Sequence, residues 1–390
     1  MHLFLNCLAA SAGGGVTYLR NVVPHFAQPS GLKVSLAVPA DLDLDIGPAP
    51  NISIEKIKTP SHAASRFLFE QTHLPSLLRE RGADVLISTG NFALRHSPVP
   101  QILLSGNSLY VSDEFYRDLR QRRSYGMWLD TRIKGYYARR SIHWADRTVA
   151  PSETFAKQLR GWSGREIACI HHGFDPAIFS SDSTPLPADM QRELDAGADT
   201  LRLLFVSHYN YYRNFETLLR AVPLIARRLA PGKLKLYLTC QLQSQHNPGS
   251  FDASAASGLV RRLNISQQVI ELGAVDYRHL HKLYRACDIY VTAAYAETFA
   301  HPLVEAMASG LPIVASDLPV HREITAGAAQ YFNAFSPEEL ADRVLDLAES
   351  PSLRAGQIRS GLQRAKDFSW AKHVDDLARL SAALLQNCRA

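Results

Sequence analysis

The residues with the clearest chemical potential lie in "ETFAHPLVE", where Glu297 and Glu305 stand eight positions apart around Pro302. Acids are seldom buried unless paired or functional, yet Leu303, Val304 and Ala306 beside the second acid are apolar. The surrounding sequence reads strand, "DIYVTAA", then loop, then helix, then a second strand, "PIVAS". Pro302 fits the first helical turn, where its missing N–H costs nothing, and Gly310 fits the left-handed residue beyond the helix. Such a unit carries the N–H groups near Pro302 to Glu305 to the carboxyl edge of a sheet, where they and the helix dipole suit a phosphate. Glu305, one turn in, would accept from ribose hydroxyls, and Glu297 would face whatever the phosphate carries. Spacing alone leaves a plainer arrangement open, with Glu297 a surface acid and Glu305 complementing the dipole.

Two further stretches suit anions. In "SAGGGVTYLRNVV" three glycines precede an amphipathic helix and let a backbone approach a bulky anion, or simply make a tight turn. It is not the dinucleotide fingerprint, because Tyr18 follows Gly13-x-Gly15 where a third small residue belongs, and no G-x-x-x-x-G-K-[ST] run occurs. In "VSHYNYYRNFETLLRAV" a strand ends at Ser207 and Asn214 suits an N-cap. His208 and Arg213 then sit in a loop at the strand's carboxyl end, where an arginine suits a diphosphate leaving group, or is only an exposed base. Asp175 and the pair His171–His172 are weaker candidates, and His279 and His281 suit a helix surface better than a metal. HExxH, GxSxG and paired CxxC patterns are absent, so zinc hydrolysis and serine-elbow acyl transfer gain no support.

The elements that must hold these residues alternate along the chain. "HLFLNCLAA", "KVSLAVP", "DVLIST", "PQILLSGN", "DRTVAPS" and "EIACIHHG" are short apolar strands with helical spacing between them, such as Val16, Leu19, Val23 and Phe26. The Ser-, Asp- and Pro-rich stretch 180–200 interrupts the series. A second series follows: "LRLLFVS", "KLKLYLTC", "QVIELGAV", "DIYVTAA" and "LPIVASD". This pattern predicts an α/β chain of two doubly wound parallel-sheet domains, with ligands at the carboxyl ends of the strands. The expected domains are 1–180 and 201–368, joined by a linker over 181–200, with an amphipathic helix over 369–390. A length of 390 residues suits two cores better than one.

Composition excludes several classes. With 46% hydrophobic and 20% charged residues the chain is globular, and its apolar runs are too short for a membrane span. The start lacks a basic n-region, so no signal peptide is expected. Five scattered cysteines suit reduced thiols in a cytoplasm. The net charge of +5 is locally concentrated: from Arg117 to Arg147 nine basic residues face three acids, interleaved with Tyr125, Trp128, Tyr136, Tyr137 and Trp144. That segment is either a solvated helix pair with its aromatics inward, or a surface for anionic lipid or a phosphate-bearing acceptor. No nucleic-acid recognition motif accompanies the charge, and nucleic acid is not an expected partner.

Taken together the motifs resemble retaining glycosyltransferases of the GT-B fold, sequence family 4. "ADRTVAPSETFAKQL" is similar to the end of that family's first domain, and "IHHGFDPAIF" to its entry into the linker. "VSHYNYYRNFETLLRAV" resembles the opening of its nucleotide domain, "AETFAHPLVEAMASGLPIVASD" its two-Glu block, and "FSWAKHVDDL" its closing helix. The resemblance implies two Rossmann-like domains facing a cleft, with the last helix returning to the first domain. It implies that Glu297 sits by the transferred sugar and that Glu305 holds the ribose. Arg213 would bind the diphosphate, and Gly14 and Gly15 would approach the phosphates when the cleft closes. Phe299, His301, Leu303 and Val304 would lie along the donor, with His208 near the diphosphate and Asn107 and His172 on the acceptor side. Neither cofactor nor metal is implied.

The implied reaction moves a hexose from GDP-mannose or a UDP-sugar to a glycan or lipid-linked hydroxyl in surface-polysaccharide synthesis. The implied location is cytoplasmic, with membrane contact through 115–147. Ser207-His208 replaces the usual Gly-Arg, and Gly106-Asn107 the usual His-Asp pair, so a catalytically inactive nucleotide-sugar-binding protein is the alternative. A sugar-nucleotide epimerase, which shares the fold, matches the two-Glu block less well.

Overall fold

A computed structural model describes residues 1–10, 14–27, 31–44, 47, 49–197, 199–230, 232–244, 247, 249 and 251–389. Side-chain placement is described for the same residues except Gly14, Cys388 and Arg389. The chain forms two compact units, Met1–Gly173 with Ser369–Ala390, and Phe174–Phe368.

The first unit is built on a parallel sheet of β1 (His2–Asn6), β2 (Lys33–Pro39), β3 (Ile52–Ile57), β4 (Val85–Ser88), β5 (Gln101–Leu104), β6 (Arg147–Ala150) and β7 (Ala168–Cys169), in the order β3-β2-β1-β4-β5-β6-β7. Strands β1, β2 and β4 are almost wholly buried, as their two-sided apolar sequences require when helices cover both faces. The helix Trp370–Arg389 packs on the helix Gly14–Phe26, and Trp370, Val374, Leu377 and Leu384 join Leu19, Val22, Val23 and Phe26 in one core. Gly173 lets this return happen, because a Cβ there would stand 2.1 Å from the Trp370 nitrogen.

The second unit holds β8 (Leu201–Phe205), β9 (Leu234–Leu238), β10 (Val269–Glu271), β11 (Ile289–Thr292), β12 (Ile313–Ser316) and β13 (Gln330–Phe332), also parallel, in the order β10-β9-β8-β11-β12-β13. Its core gathers Leu204, Tyr290, Leu303, Val304, Met307 and Ile313 around the helix His301–Ala308.

The structure differs from the sequence-based expectation in four places. β3 and β13 were not expected: β3 is an edge strand of exposed and half-buried residues including Lys56 and Glu55, and β13 spans three residues. The stretch 181–200, expected as a linker, holds the helix Ala188–Ala196, whose Met190 and Leu194, four apart, are buried in the second core. β8 ends at Phe205 and not at Ser207.

Candidate functional site

In the second sheet β8 pairs with β9 on one side and β11 on the other, so the strand order turns at the β8–β11 pair. Ligands of open α/β sheets bind at such a switch point, outside the carboxyl ends of the strands. The loops leaving β8 and β11 are joined there: the Tyr295 N–H donates to the Tyr212 carbonyl at 2.9 Å. A 3₁₀ turn, Tyr211–Arg213, is capped by Asn210, whose Oδ1 accepts from the Arg213 N–H at 3.1 Å.

This arrangement sets Arg213 against Glu297, and Arg213 Nη1 donates to Glu297 Oε2 in an ion pair. The side chains are 21% and 10% exposed. The Thr298 N–H donates to Glu297 Oε1 at 2.9 Å. Burial pushes the Glu297 carboxyl up, but the Arg213 charge, with help from the Thr298 N–H, outweighs it and holds Glu297 below its ordinary value. Burial likewise opposes the Arg213 charge, and Glu297, Tyr212 and Tyr290 more than restore it. Nε of Arg213 is buried without a hydrogen-bond partner among the described residues.

Sequence reasoning missed His321. It is fully buried at the carboxyl end of β12, in the helix Pro319–Thr325. Its Nδ1 lies 2.9 Å from the Ser316 carbonyl, which can only accept, so Nδ1 carries the proton and Nε2 is left as an acceptor. Nε2 has no partner among the described residues, and the ring is near enough to Glu297 and Arg213 for both charges to act on it. Burial holds His321 below its ordinary value, which keeps this tautomer neutral. The Ser316–His321 spacing is the only trace of this in the sequence.

Glu305 is one turn into the helix His301–Ala308 and is buried, with Oε2 accepting from the Tyr284 hydroxyl at 2.8 Å. Burial pushes it up to about 7, the Tyr284 hydroxyl opposing. The helix starts after Ala300, which holds a left-handed backbone at φ 66°. That conformation costs a non-glycine residue about 1–2 kcal/mol and is commonest at functional turns. Pro302 lies in the first turn and Gly310 is left-handed at φ 67°.

The expectation that the Leu303 amide is open to a ligand needs correction. In this structure the Leu303 N–H donates to the Ala300 carbonyl at 3.0 Å, because the chain enters the helix through a tight turn. The Leu303 and Val304 side chains are fully buried in the core. Phe299 is buried too, 5.4 Å from the Phe368 ring and 4.8 Å from His301.

Asn214 occupies the expected cap position but has a left-handed backbone, and its Oδ1 accepts from the Thr217 hydroxyl and not from a helix amide. His208 is held below its ordinary value by burial and by the Arg213 charge.

The remaining expected residues belong to the first unit. Gly14 opens the helix Gly14–Phe26, while 11–13, with Gly13, lie outside the described residues. A Cβ at Gly15 would make only ordinary contact with Ala10. Asn107 caps a short 3₁₀ turn, its Oδ1 accepting from the Leu109 N–H at 3.0 Å. His172 lies in a ring cluster with Tyr18 at 5.2 Å, His373 at 5.6 Å and Trp370 at 5.7 Å. His172 is half-buried there, beside the Tyr18–His373 hydrogen bond of 2.9 Å.

Comparison with known proteins bears on this geometry. The family model for glycosyl transferases group 1 matches residues 189–364, and that for glycosyltransferase family 4 matches residues 12–178. The chain belongs to the family 4 glycosyltransferases. A D-inositol 3-phosphate glycosyltransferase of Thermobifida fusca is 26% identical over 252 residues, which is 63% of this chain and 57% of that protein. The chain thus spans little more than half the length of that curated relative. Sucrose-phosphate synthase of Thermosynechococcus elongatus superposes with a TM-score of 0.79 at 18% identity, covering 99% of this chain and 100% of that one. HepE of Anabaena, solved with UDP-glucose, superposes with a TM-score of 0.71 at 16% identity, covering 98% and 100%. These structures establish the GT-B fold for this glycosyltransferase.

Proposed function

We propose that the chain transfers a hexose from a nucleoside-diphosphate sugar to a hydroxyl of a glycan or lipid-linked acceptor, with retention at the anomeric carbon. The observation that carries this reading is the partly buried Arg213–Glu297 pair at the ends of β8 and β11. An arginine already held at the switch point meets an incoming diphosphate with a charge that needs little reorganisation. When the donor binds, Arg213 exchanges Glu297 for the diphosphate, and Glu297 turns to the hydroxyls of the sugar. The bond from the anomeric carbon to the diphosphate oxygen breaks, the acceptor oxygen bonds on the same face, and the departing phosphate takes the acceptor's proton. Glu305 holds the ribose by exchanging its Tyr284 hydroxyl for the sugar's. Arg213 and backbone amides supply the charge stabilisation, so the reaction runs without a metal and survives chelation.

HepE, whose structure contains UDP-glucose, supports a UDP-sugar, while GDP-mannose is the second donor to test. The place of action is the cytoplasmic face of the membrane, in surface-polysaccharide or lipopolysaccharide synthesis.

One observation favours a second reading, a donor-binding protein that transfers nothing. His208 stands where the family resemblance implies an arginine, and its lowered pKa leaves it uncharged at neutral pH. The test is release of nucleoside diphosphate from a panel of sugar donors with added acceptors, with the anomeric configuration of the product read by NMR. Transfer with retention, lost in Glu297→Gln while nucleotide affinity stays within several-fold, supports the enzyme. Nucleotide binding without turnover by any donor supports the second reading.

A further inference from the structure

We propose that the outward face of the helix Tyr125–Trp144 docks the chain on a bilayer surface containing anionic lipid. The helix is inside out. Thr131, Gly135, Ala138 and Ser141, all small, are among its buried residues. Ile142 is buried with them, but five of the large apolar side chains point the other way: Tyr125 is 62% exposed, Tyr136 61%, Leu129 54%, Ile133 50% and Tyr137 42%. At 100° per residue these positions share about one third of the helix circumference. They are five of the ten large apolar side chains exposed among the described residues. Single exposed apolar residues are ordinary, but a contiguous stripe marks a surface that meets a partner.

Charge decides which partner. Arg123, Arg132, Arg139 and Arg140 are exposed around the stripe, and the one acid within the helix, Asp130, is paired with Lys134 at 2.6 Å. Arg132 lies 4.3 Å from the Tyr116 ring centre, a stacked position that keeps a guanidinium beside apolar surface. A second copy of the chain would bring arginines against arginines. An anionic bilayer meets both features, taking Leu129 and Ile133 at the acyl boundary, the tyrosines at headgroup depth and the arginines among lipid phosphates. No helix of the described residues is long and apolar enough to cross a membrane, so this is contact with a surface and not insertion across it. The inference deepens the lipid-linked acceptor reading by naming the surface on which such an acceptor is met, but it rests on the helix and not on the donor site.

The experiment is co-sedimentation of the full chain with vesicles of phosphatidylcholine alone and of phosphatidylcholine with about one-third phosphatidylglycerol. The expected result is at least about tenfold more chain bound to the anionic vesicles, falling with salt. The double variant Leu129→Glu, Ile133→Glu changes only exposed positions and should drop to the neutral-vesicle level with an unchanged thermal midpoint. Arg139→Glu with Arg140→Glu should weaken binding and flatten its salt dependence. Equal sedimentation of the first double variant and the parent overturns the proposal. So does binding to neither vesicle, or concentration-dependent self-association abolished by the same variant, which would assign the stripe to a second copy. Titration of a nucleotide into the same preparations separates this outcome from failure of the transferase reading, because the variants leave the second unit untouched.

Discussion

Replacing Arg213 with Met removes the guanidinium that pairs with Glu297 while keeping most of the side-chain volume. The carboxylate would keep its Thr298 N–H bond but lose the cation at Oε2, with only 10% of its side chain exposed. Removing one partner of a fully buried pair costs roughly 3–5 kcal/mol. The residual exposure of both side chains lets water take up part of this, which leaves about 2–3 kcal/mol at neutral pH. For a unit the size of Phe174–Phe368, this corresponds to a fall of about 5–10 °C in Tm.

The pH dependence gives the sharper test. In the parent, the Glu297 pKa is below its unfolded value, so its stabilising contribution is present above that value and is lost only as pH falls through the folded pKa. In Arg213→Met, burial dominates and raises the folded pKa, so the variant is least penalised in acid and loses stability as pH rises through it. The stability gap between the two proteins should therefore narrow by about 1–2 kcal/mol on going from about pH 7.5 to about pH 5.5. Urea unfolding at both pH values measures it. A gap that does not change with pH, or no destabilisation at all, would refute the claim that Arg213 holds a buried carboxylate ionised.

Other expectations follow from neighbouring residues. Burial raises Glu305 to about 7, so its stabilising contribution is full below the unfolded pKa and lost as pH rises through about 7. Glu305→Gln keeps an acceptor for the Tyr284 hydroxyl and should be more stable than the parent by about 1–2 kcal/mol at about pH 8.5, with nucleotide affinity at least about tenfold weaker. A variant that binds nucleotide as well as the parent would remove Glu305 from the ribose site. Gly173→Ala drives a Cβ into the backbone of Ser369 and Trp370 and should cost about 2–3 kcal/mol. It should also red-shift the fluorescence of Trp370, now 2% exposed, and an unchanged spectrum and Tm would show that the return of the closing helix is not tight. His321→Ala removes the neutral acceptor beside Glu297 and should lower turnover about ten- to hundredfold with nucleotide affinity kept within about threefold. Unchanged turnover would leave His321 a packing residue.

What the sequence made legible follows from the range over which each feature acts. The buried strands could be located because a strand covered on both faces is apolar along most of its length, as in "HLFLN" and "IYVT". β3 could not, since an edge strand carries Glu55 and Lys56 without loss. The helix Ala188–Ala196 was masked by its polar majority, because two buried residues anchor it. Pro302 and Gly310 marked the helix of the site by local backbone chemistry alone. The Arg213–Glu297 pair spans 84 positions and depends on β8 and β11 being neighbours, which no local pattern reports. Likewise, Tyr284 reaches Glu305 from another helix, and composition flagged the Arg117–Arg147 segment without saying which aromatics face out.

The central claim is that the loops after β8 and β11 bind the diphosphate of a sugar donor. Calorimetric titration of UDP and GDP, without metal, into the parent, Arg213→Lys and Arg213→Met tests it most directly. Micromolar binding of one nucleotide by the parent is expected, with a modest loss in Arg213→Lys and a loss of about 10- to 100-fold in Arg213→Met. Binding of neither nucleotide by the parent, or equal affinity in Arg213→Met, would contradict it.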